Sequence, residues 1–427
     1  MNTFIDFITF KDPNVLYVVL GMLLINSSSA LIGTFAFLRK RALIGDAVAH
    51  ALLPGLCLGF MFSGEKNVTY LMIGAFASGW LATYAIDLIV NRSKVKQDAA
   101  IGIVLSSFFG LGIVLLTFIQ KNAAGQHSGL NTFLFGQAAA INKSEIIAFA
   151  IILVLIVIAL VLFYKAFVIV AFNKDFAHSV GLPVRFIEFL ITSLTVLAIA
   201  AGIQALGVIL MSALIVTPGA AARLWTHKLR LILVLAVCFS IFSGIGGAYV
   251  SYANSGMPTG PWVVVILSVF MFGSILIAPQ KGMISRWRRA RGNRKKILHE
   301  NILKAIYQWH ESQKLHESLS VKLKTADLIS VRKFDTSDLL NGLNQLMRKD
   351  FVLRDGESYI LTESGKKESR RIVRLHRLWE QYLLKRTTID TDHVHSGAEV
   401  IEHIISPELE KELEKELGIT GIPEEDY

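Results

Sequence analysis

Apolar runs at residues 16–38, 44–63, 69–90, 101–119, 145–166, 187–205, 206–222, 229–250 and 261–279 are each long enough to cross about 30 Å of hydrocarbon. In lipid every backbone group must find its partner within the chain, so only helices and closed barrels span. Unbroken apolar runs of this length select helices. The sequence therefore predicts an all-α polytopic membrane protein with nine spans. Eight is the alternative, because the sixth and seventh runs adjoin around Gly202 to Gly207 with hardly any polar loop, and the second contains Pro54 and Gly55.

Charge follows a different pattern on either side of residue 280. The first part holds 16 Lys and Arg against 9 Asp and Glu, and the remainder holds 27 against 24. Most of the net charge of +10 therefore lies in the apolar part, where basic loops set membrane orientation rather than bind nucleic acid. With the N-terminus outside, Arg39, Lys40, Arg41, Arg92, Lys94, Lys96, Lys165, Lys174, Arg185, Arg223, Lys228 and Arg230 fall in cytoplasmic loops. Only Lys11, Lys66, Lys121 and Lys143 then lie outside. An odd number of spans puts the tail in the cytoplasm. The tail begins with the basic run Arg286 to Lys296, which can rest on anionic membrane lipid or serve as a stop-transfer flank. No cleavable signal is expected, because the segment before the first run is acidic or neutral apart from Lys11. Cys57 and Cys238 both sit in apolar runs and offer neither a disulfide framework nor a thiolate cluster.

The most informative intramembrane residues are Asp46 and His50, in the stretch Leu43 to Gly55. Four residues apart on a helix, they share one face and can present a carboxylate oxygen and an imidazole nitrogen to one cation. An ionisable pair at this depth is expensive in hydrocarbon, so it is expected to face protein or a water-filled path. The alternative is an acid–histidine hydrogen bond that braces helix packing. Asp87 and Glu188 lie near span ends, where snorkelling or a loop hydrogen bond is the expectation.

The stretch from Ala42 through Asp46 and His50 to Gly55 resembles the signature of the ABC-3 permease family, membrane subunits of bacterial importers for manganese, zinc or iron. Leu130 to Gly136, Asn173 to Pro183 and Gly207 to Arg223 are similar to that family in the same order. The resemblance covers about residues 1–280. It implies a bacterial inner-membrane pore made with a second permease copy or a paralogue, an external metal-binding protein that delivers the ion, and a cytoplasmic ABC ATPase. It also implies that Asp175, Ala177 and Gly181, in the segment 173–183, couple to that ATPase. The chain has no G-x-x-x-x-G-K-[ST] loop, so ATP is expected to be handled by a separate subunit. Segment 120–144, with His127, is the longest outside segment and is expected to dock the delivering protein or dip toward the pore.

Beyond 297 the periodicity changes to short amphipathic helices at 297–309, 317–329 and 336–349, followed by a hairpin over 351–361 that turns at Gly356. Three helices and a hairpin predict an α+β winged-helix domain, an architecture that commonly places its third helix in DNA. Thr336, Ser337, Asn341, Asn344 and Arg348 are the candidate DNA contacts, although Asp335 and Asp338 oppose a polyanion. Next come His376 and Glu380 on one predicted helix, over 364–386, and His395, Glu399, Glu402 and His403 on another, at spacings of three and four. Nitrogen and oxygen donors without thiolates suit manganese, ferrous iron or zinc.

These residues resemble the diphtheria-toxin-repressor-like family of metal-dependent regulators, over roughly 297–417. The likeness implies one metal site from Glu399, Glu402 and His403 and a neighbouring one from His376, Glu380 and His395. Asn301 and Lys304 depart from it, standing where the manganese-responsive branch supplies acidic ligands. The expected organisation is a permease domain at 1–280, a basic juxtamembrane linker at 281–296, a winged helix at 297–362 and a helical metal-sensing and dimerisation domain at 363–427. The expected function is an ATP-driven divalent-metal permease subunit, not an enzyme, with a cytoplasmic metal sensor. The other reading is a membrane-tethered or proteolytically released metal-dependent repressor, which the segment 284–297 would release if cut.

Overall fold

The computed structural model describes residues 2–39, 41, 43–64, 67–122, 136, 141–254, 257–314 and 319–386. The chain divides into two compact units, Met1–Arg286 and Trp287–Tyr427.

The first unit is helical throughout its described residues. The helices are α1 (Asn2–Ile8), α2 (Pro13–Leu38), α3 (Ile44–Ser63), α4 (Val68–Arg92), α5 (Gln97–Asn122), α6 (Lys143–Phe172), α7 (Lys174–Ser179), α8 (Val184–Leu206), α9 (Val208–Trp225), α10 (Leu229–Ala253) and α11 (Thr259–Ile277). Several starts are fixed by side-chain caps: Asp12 accepts from the Asn14 amide, and Asn142 and Glu145 form a reciprocal capping box at α6.

Among the described residues, eight helices are long and apolar enough to cross a membrane: α2 to α6, α8, α10 and α11. By length and composition this is eight, the alternative to the nine expected, because the seventh run forms the shorter helix α9. Gly207 alone separates α8 from α9, at φ 80° and ψ 165°, a backbone state that glycine adopts without a Cβ clash. Helix α9 nonetheless runs alongside α11. A Cβ on Gly260 would lie 3.4 Å from the Leu206 carbonyl oxygen, and at the other end the Trp225 indole N–H donates to Ser274 Oγ at 2.9 Å.

Helix α2 is the hub, packed on α6, α8, α9 and α10, while α3 packs mainly on α4 and α5. With lipid as apolar as leucine, such contacts depend on close backbone approach and polar exchange between helices. Gly33 of α2 lies against the Ile215 carbonyl of α9, and Gly55 of α3 and Gly74 of α4 meet backbone to backbone, so a Cβ at any of the three would overlap a carbonyl. Between α2 and α10 the exchange is reciprocal: Asn26 Nδ2 donates to the Ser240 carbonyl at 2.9 Å, and Ser240 Oγ donates to the Asn26 carbonyl at 3.1 Å. The outer flank of α6 leaves Val154, Val161 and Leu162 exposed, as a lipid-facing surface requires.

The second unit contains α12 (Met283–Ser312), which begins in the first unit, then α13 (Thr325–Val331), α14 (Thr336–Arg348), the antiparallel pair β1 (Val352–Asp355) and β2 (Ser358–Leu361), and α15 (Glu363–Arg386). Leu303, Ile306, Leu328, Leu339, Leu343, Leu346, Val352 and Leu361 form its core. Gly356, at φ 62°, turns the hairpin. Two local expectations change. The helix expected from 297 starts at Met283, so the basic stretch is mostly helix rather than a separate linker; Arg and Lys are good helix formers and no proline interrupts them. The helix expected over 317–329 shrinks to α13, because Leu323 pairs instead with Tyr359 through mutual backbone hydrogen bonds of 3.0 and 2.8 Å.

Candidate functional site

Asp46 and His50 sit on the first turns of α3, with Asp46 Oδ1 3.4 Å from His50 Nε2. The i,i+4 spacing thus brings the two side chains together as the helix period requires. The His50 ring meets Phe109 of α5 edge-on at 4.9 Å, which fixes its plane. Its Nδ1 is buried without a hydrogen-bond partner, while the side chains remain 42% exposed for Asp46 and 23% for His50. Pro54 has no amide hydrogen, so the His50 carbonyl loses its i+4 donor and remains a further oxygen donor on the same helix. One carboxylate and one imidazole fall short of the four to six donors a divalent first-row metal takes. Among the described residues no group of three or more His, Cys, Asp or Glu assembles. Among the described residues the pair is thus two donors on one helix face, both part exposed. His127 lies outside the described residues.

A charge cluster that sequence reasoning did not assemble stands where α2 and α4 end and α8 begins. Arg39, with a side chain 4% exposed, donates to Glu188 Oε1 at 2.6 Å, and Lys174 binds the same oxygen. Arg41 pairs with Asp87 at 2.8 Å. Of the two expectations for Asp87 and Glu188, snorkelling gives way to bonding at the loops: each neutralises a cation brought from a connecting segment. A buried guanidinium without such a partner would be strongly unfavourable.

Lys174 belongs to α7, the middle of the expected coupling segment. Asn173 caps it by accepting from the Phe176 amide, Ala177 is fully buried, and Asp175 and His178 are exposed. The helix stops in a Schellman turn: Leu182 N–H donates to the Ala177 carbonyl and Gly181 N–H to the His178 carbonyl, both at 3.0 Å. Gly181 takes φ 80° there, with nothing within reach of its missing Cβ. A short helix seated by Ala177 with its polar side free is a shape that another protein can engage.

In the second unit, His376 lies on α15 and is buried at 4% exposure; Glu380 follows one turn later on the same helix. His395, Glu399, Glu402 and His403 lie outside the described residues, so their meeting with His376 and Glu380 remains an expectation from sequence. Lys304, which stands where an acidic ligand was expected, is 1% exposed, and Asn301 Oδ1 is buried without a hydrogen-bond partner. His299, buried at 7%, holds Nδ1 3.4 Å from Lys349 Nζ, and burial followed by that ammonium pushes its pKa below the ordinary value.

Thr336, Ser337, Asn341, Asn344 and Arg348 are all exposed on α14, the last four at spacings that keep them on one face. At its start Asp335 accepts from the Ser337 hydroxyl at 2.5 Å and from the Ser337 and Asp338 amides, bonds that hold its carboxyl below the usual range and so keep it charged. Asp338 is 3.7 Å from Arg294 of α12. The negative end of this helix is thus a fixed feature of the fold.

Comparison with known proteins places both segments. Residues 11–278 match the ABC 3 transport family, and residues 362–420 match the iron dependent repressor metal binding and dimerisation domain. The chain is 38% identical over 376 residues to the manganese transport system membrane protein MntC of Bacillus subtilis, covering 88% of this chain and 85% of that one. It is 40% identical over 283 residues to the zinc transport system membrane protein TroC of Treponema pallidum, covering 66% of this chain and 95% of the relative. Among solved structures, PsaBC from Streptococcus pneumoniae in complex with Fab superposes with a TM-score of 0.59 at 28% identity, covering 67% of this chain and 99% of that chain.

Proposed function

The chain belongs to the ABC 3 transport family, and from that premise we propose that it is the permease subunit of an ATP-driven importer of manganese, zinc or ferrous iron, with a cytoplasmic sensor for the same metal. The observation that carries the transport half is the Asp46–His50 pair at 3.4 Å on α3, ionisable groups within a membrane-crossing helix that join no third His, Cys, Asp or Glu among the described residues and stay part exposed. A second permease copy or a paralogue supplies the facing half-site, and the ion passes between the two. Helix α9 counts as a ninth crossing, so the N-terminus is outside and the tail inside, which agrees with the distribution of basic loops. In this orientation α7 faces the cytoplasm, where Asp175, Ala177 and Gly181 present the coupling helix to the ATPase, while an external metal-binding protein delivers the ion on the other side.

The tail reads the metal after import. His376, Glu380, His395, Glu399, Glu402 and His403 are the proposed ligands, a nitrogen and oxygen set suited to these ions. The buried ammonium of Lys304 takes a position expected for an acidic ligand, which favours a single metal ion over a pair in this tail. The winged-helix reading rests on α12 to α14 and the β1–β2 hairpin. A regulator acting on DNA is the second reading, supported by the exposed polar row from Ser337 to Arg348 and opposed by the charged Asp335 and Asp338.

Metal uptake by proteoliposomes that hold the chain with its ATPase, comparing intact protein, Asp46→Ala and a truncation after residue 285, tests both halves. Uptake lost in Asp46→Ala and retained but deregulated after truncation supports a permease with a sensor. Uptake indifferent to Asp46 moves the conclusion to the tethered regulator.

A further inference from the structure

Where α2, α6 and α9 end, an open hollow brings together Arg39, Lys174 and Arg223 with Leu38, Val170 and Phe172. Its charge is not balanced. Glu188 is shared between Arg39 and Lys174, and Arg223 makes no ion pair among the described residues. Arg39 is 4% exposed at the side chain, yet its Nε is buried with no hydrogen-bond partner.

Unmatched guanidinium donors beside a cationic surplus call for an anion, and arginine's planar fork suits phosphate oxygens in particular. The apolar side decides which anion. Leu38, Val170 and Phe172 sit at the last turns of two membrane-crossing helices, α2 and α6, and Phe172 is exposed. Leu38 and Val170 are already buried, so the apolar surface that a free phosphate or an acidic side chain would leave in water is that of the exposed Phe172. A phospholipid satisfies both, with its headgroup on the arginines and the first carbons of its chains on Phe172.

We propose that this hollow binds the phosphate headgroup of an anionic phospholipid at the inner end of α2, α6 and α9. The lipid sits beside Lys174, and so links the composition of the bilayer to the short helix α7.

The test uses the full chain, purified in neutral detergent and stripped of lipid, with phosphatidylglycerol or phosphatidylcholine added back and bound lipid counted by native mass spectrometry. The double variant Arg223→Gln with Lys174→Gln is expected to retain phosphatidylglycerol at least about tenfold more weakly than wild type, with phosphatidylcholine retention unchanged. Arg223→Lys, which keeps the charge, is expected to retain most of the binding. Unchanged helicity and elution volume show that the variants fold. Equal phosphatidylglycerol retention in wild type and double variant overturns the proposal. So does saturation by inorganic phosphate with no further gain from the lipid, which would mark a free-anion site. Unchanged lipid retention with loss of ATPase co-purification also overturns it, and would assign the hollow to a protein partner.

Discussion

Glu188 Oε1 accepts from the Arg39 guanidinium at 2.6 Å and binds the Lys174 ammonium as well, so one carboxylate joins the end of α2 to the short helix α7. Removing its charge with Glu188→Gln leaves Arg39 buried without a counter-ion. The expected loss is about 1–3 kcal/mol, below the value for a fully buried pair because Glu188 is part exposed. Thermal unfolding in detergent measures it, and a second change, Arg39→Gln, is expected to recover part of the loss. If the single variant melts with wild type, the bridge carries no stability.

At the Asp46–His50 pair, Asp46→Asn keeps the shape of the side chain while removing its charge. Uptake of the transported metal is expected to fall on the order of 10- to 100-fold, and His50→Gln to act in the same direction. Co-purification of the ATPase checks that the assembly still forms in both variants. Uptake within a factor of two of wild type in both variants would sink the transport role.

Close backbone approach makes its own prediction. A side chain at Gly33 meets the Ile215 carbonyl of α9, which sits on a buried helix and cannot move aside cheaply. Gly33→Val is expected to cost about 3 kcal/mol or more, seen as a lower melting temperature and poor recovery from the membrane. The same change at Gly102, whose missing Cβ faces open space, is expected to leave both unaffected apart from ordinary helix propensity.

In the tail, His299 has a folded pKa pushed below its ordinary value near 6.5, first by burial and then by Lys349. The folded state therefore favours the neutral ring. Its contribution to stability is fully present above pH 6.5 and is lost as pH falls toward the lowered folded value. Hydrogen exchange of α12 and α14 amides in the full chain, corrected for intrinsic rates, is expected to speed up between pH 7 and pH 5. His299→Gln should flatten that slope, and an unchanged slope would count against the assignment.

The sensor is tested by Glu402→Ala combined with His403→Ala. If metal filling the tail throttles the ATPase contact near 173–183, uptake in this variant is expected to continue at internal metal levels that slow wild type. An identical response in the two proteins would separate the tail from transport control.

The sequence carried local relations well and distant ones poorly. Asp46 and His50 could be paired from spacing alone, since four residues is one helical turn, and α15 lies where its apolar period put it. No such period links Arg39 to Glu188, 149 positions away, so the ion pair emerged only from the packing of α2 on α8. The β1–β2 hairpin was visible as alternation around Gly356. The shortened α13 was not, because its missing turns were lost to a backbone bridge between Leu323 and Tyr359, in which side-chain pattern has no part. A run of like charge between an apolar and a soluble segment suggests a linker. Its residues are good helix formers, and they continue α12 without a break.

Gly207 is the whole connection between α8 and α9. A joint of one residue has no slack, so a tilt of α8 cannot be absorbed in a loop before it reaches α9. The first turns of α8 hold Glu188, and through it the short helix α7. Motion imposed at α7 therefore acts on a bent lever whose far arm, α9, packs directly on α3, the helix that carries Asp46 and His50.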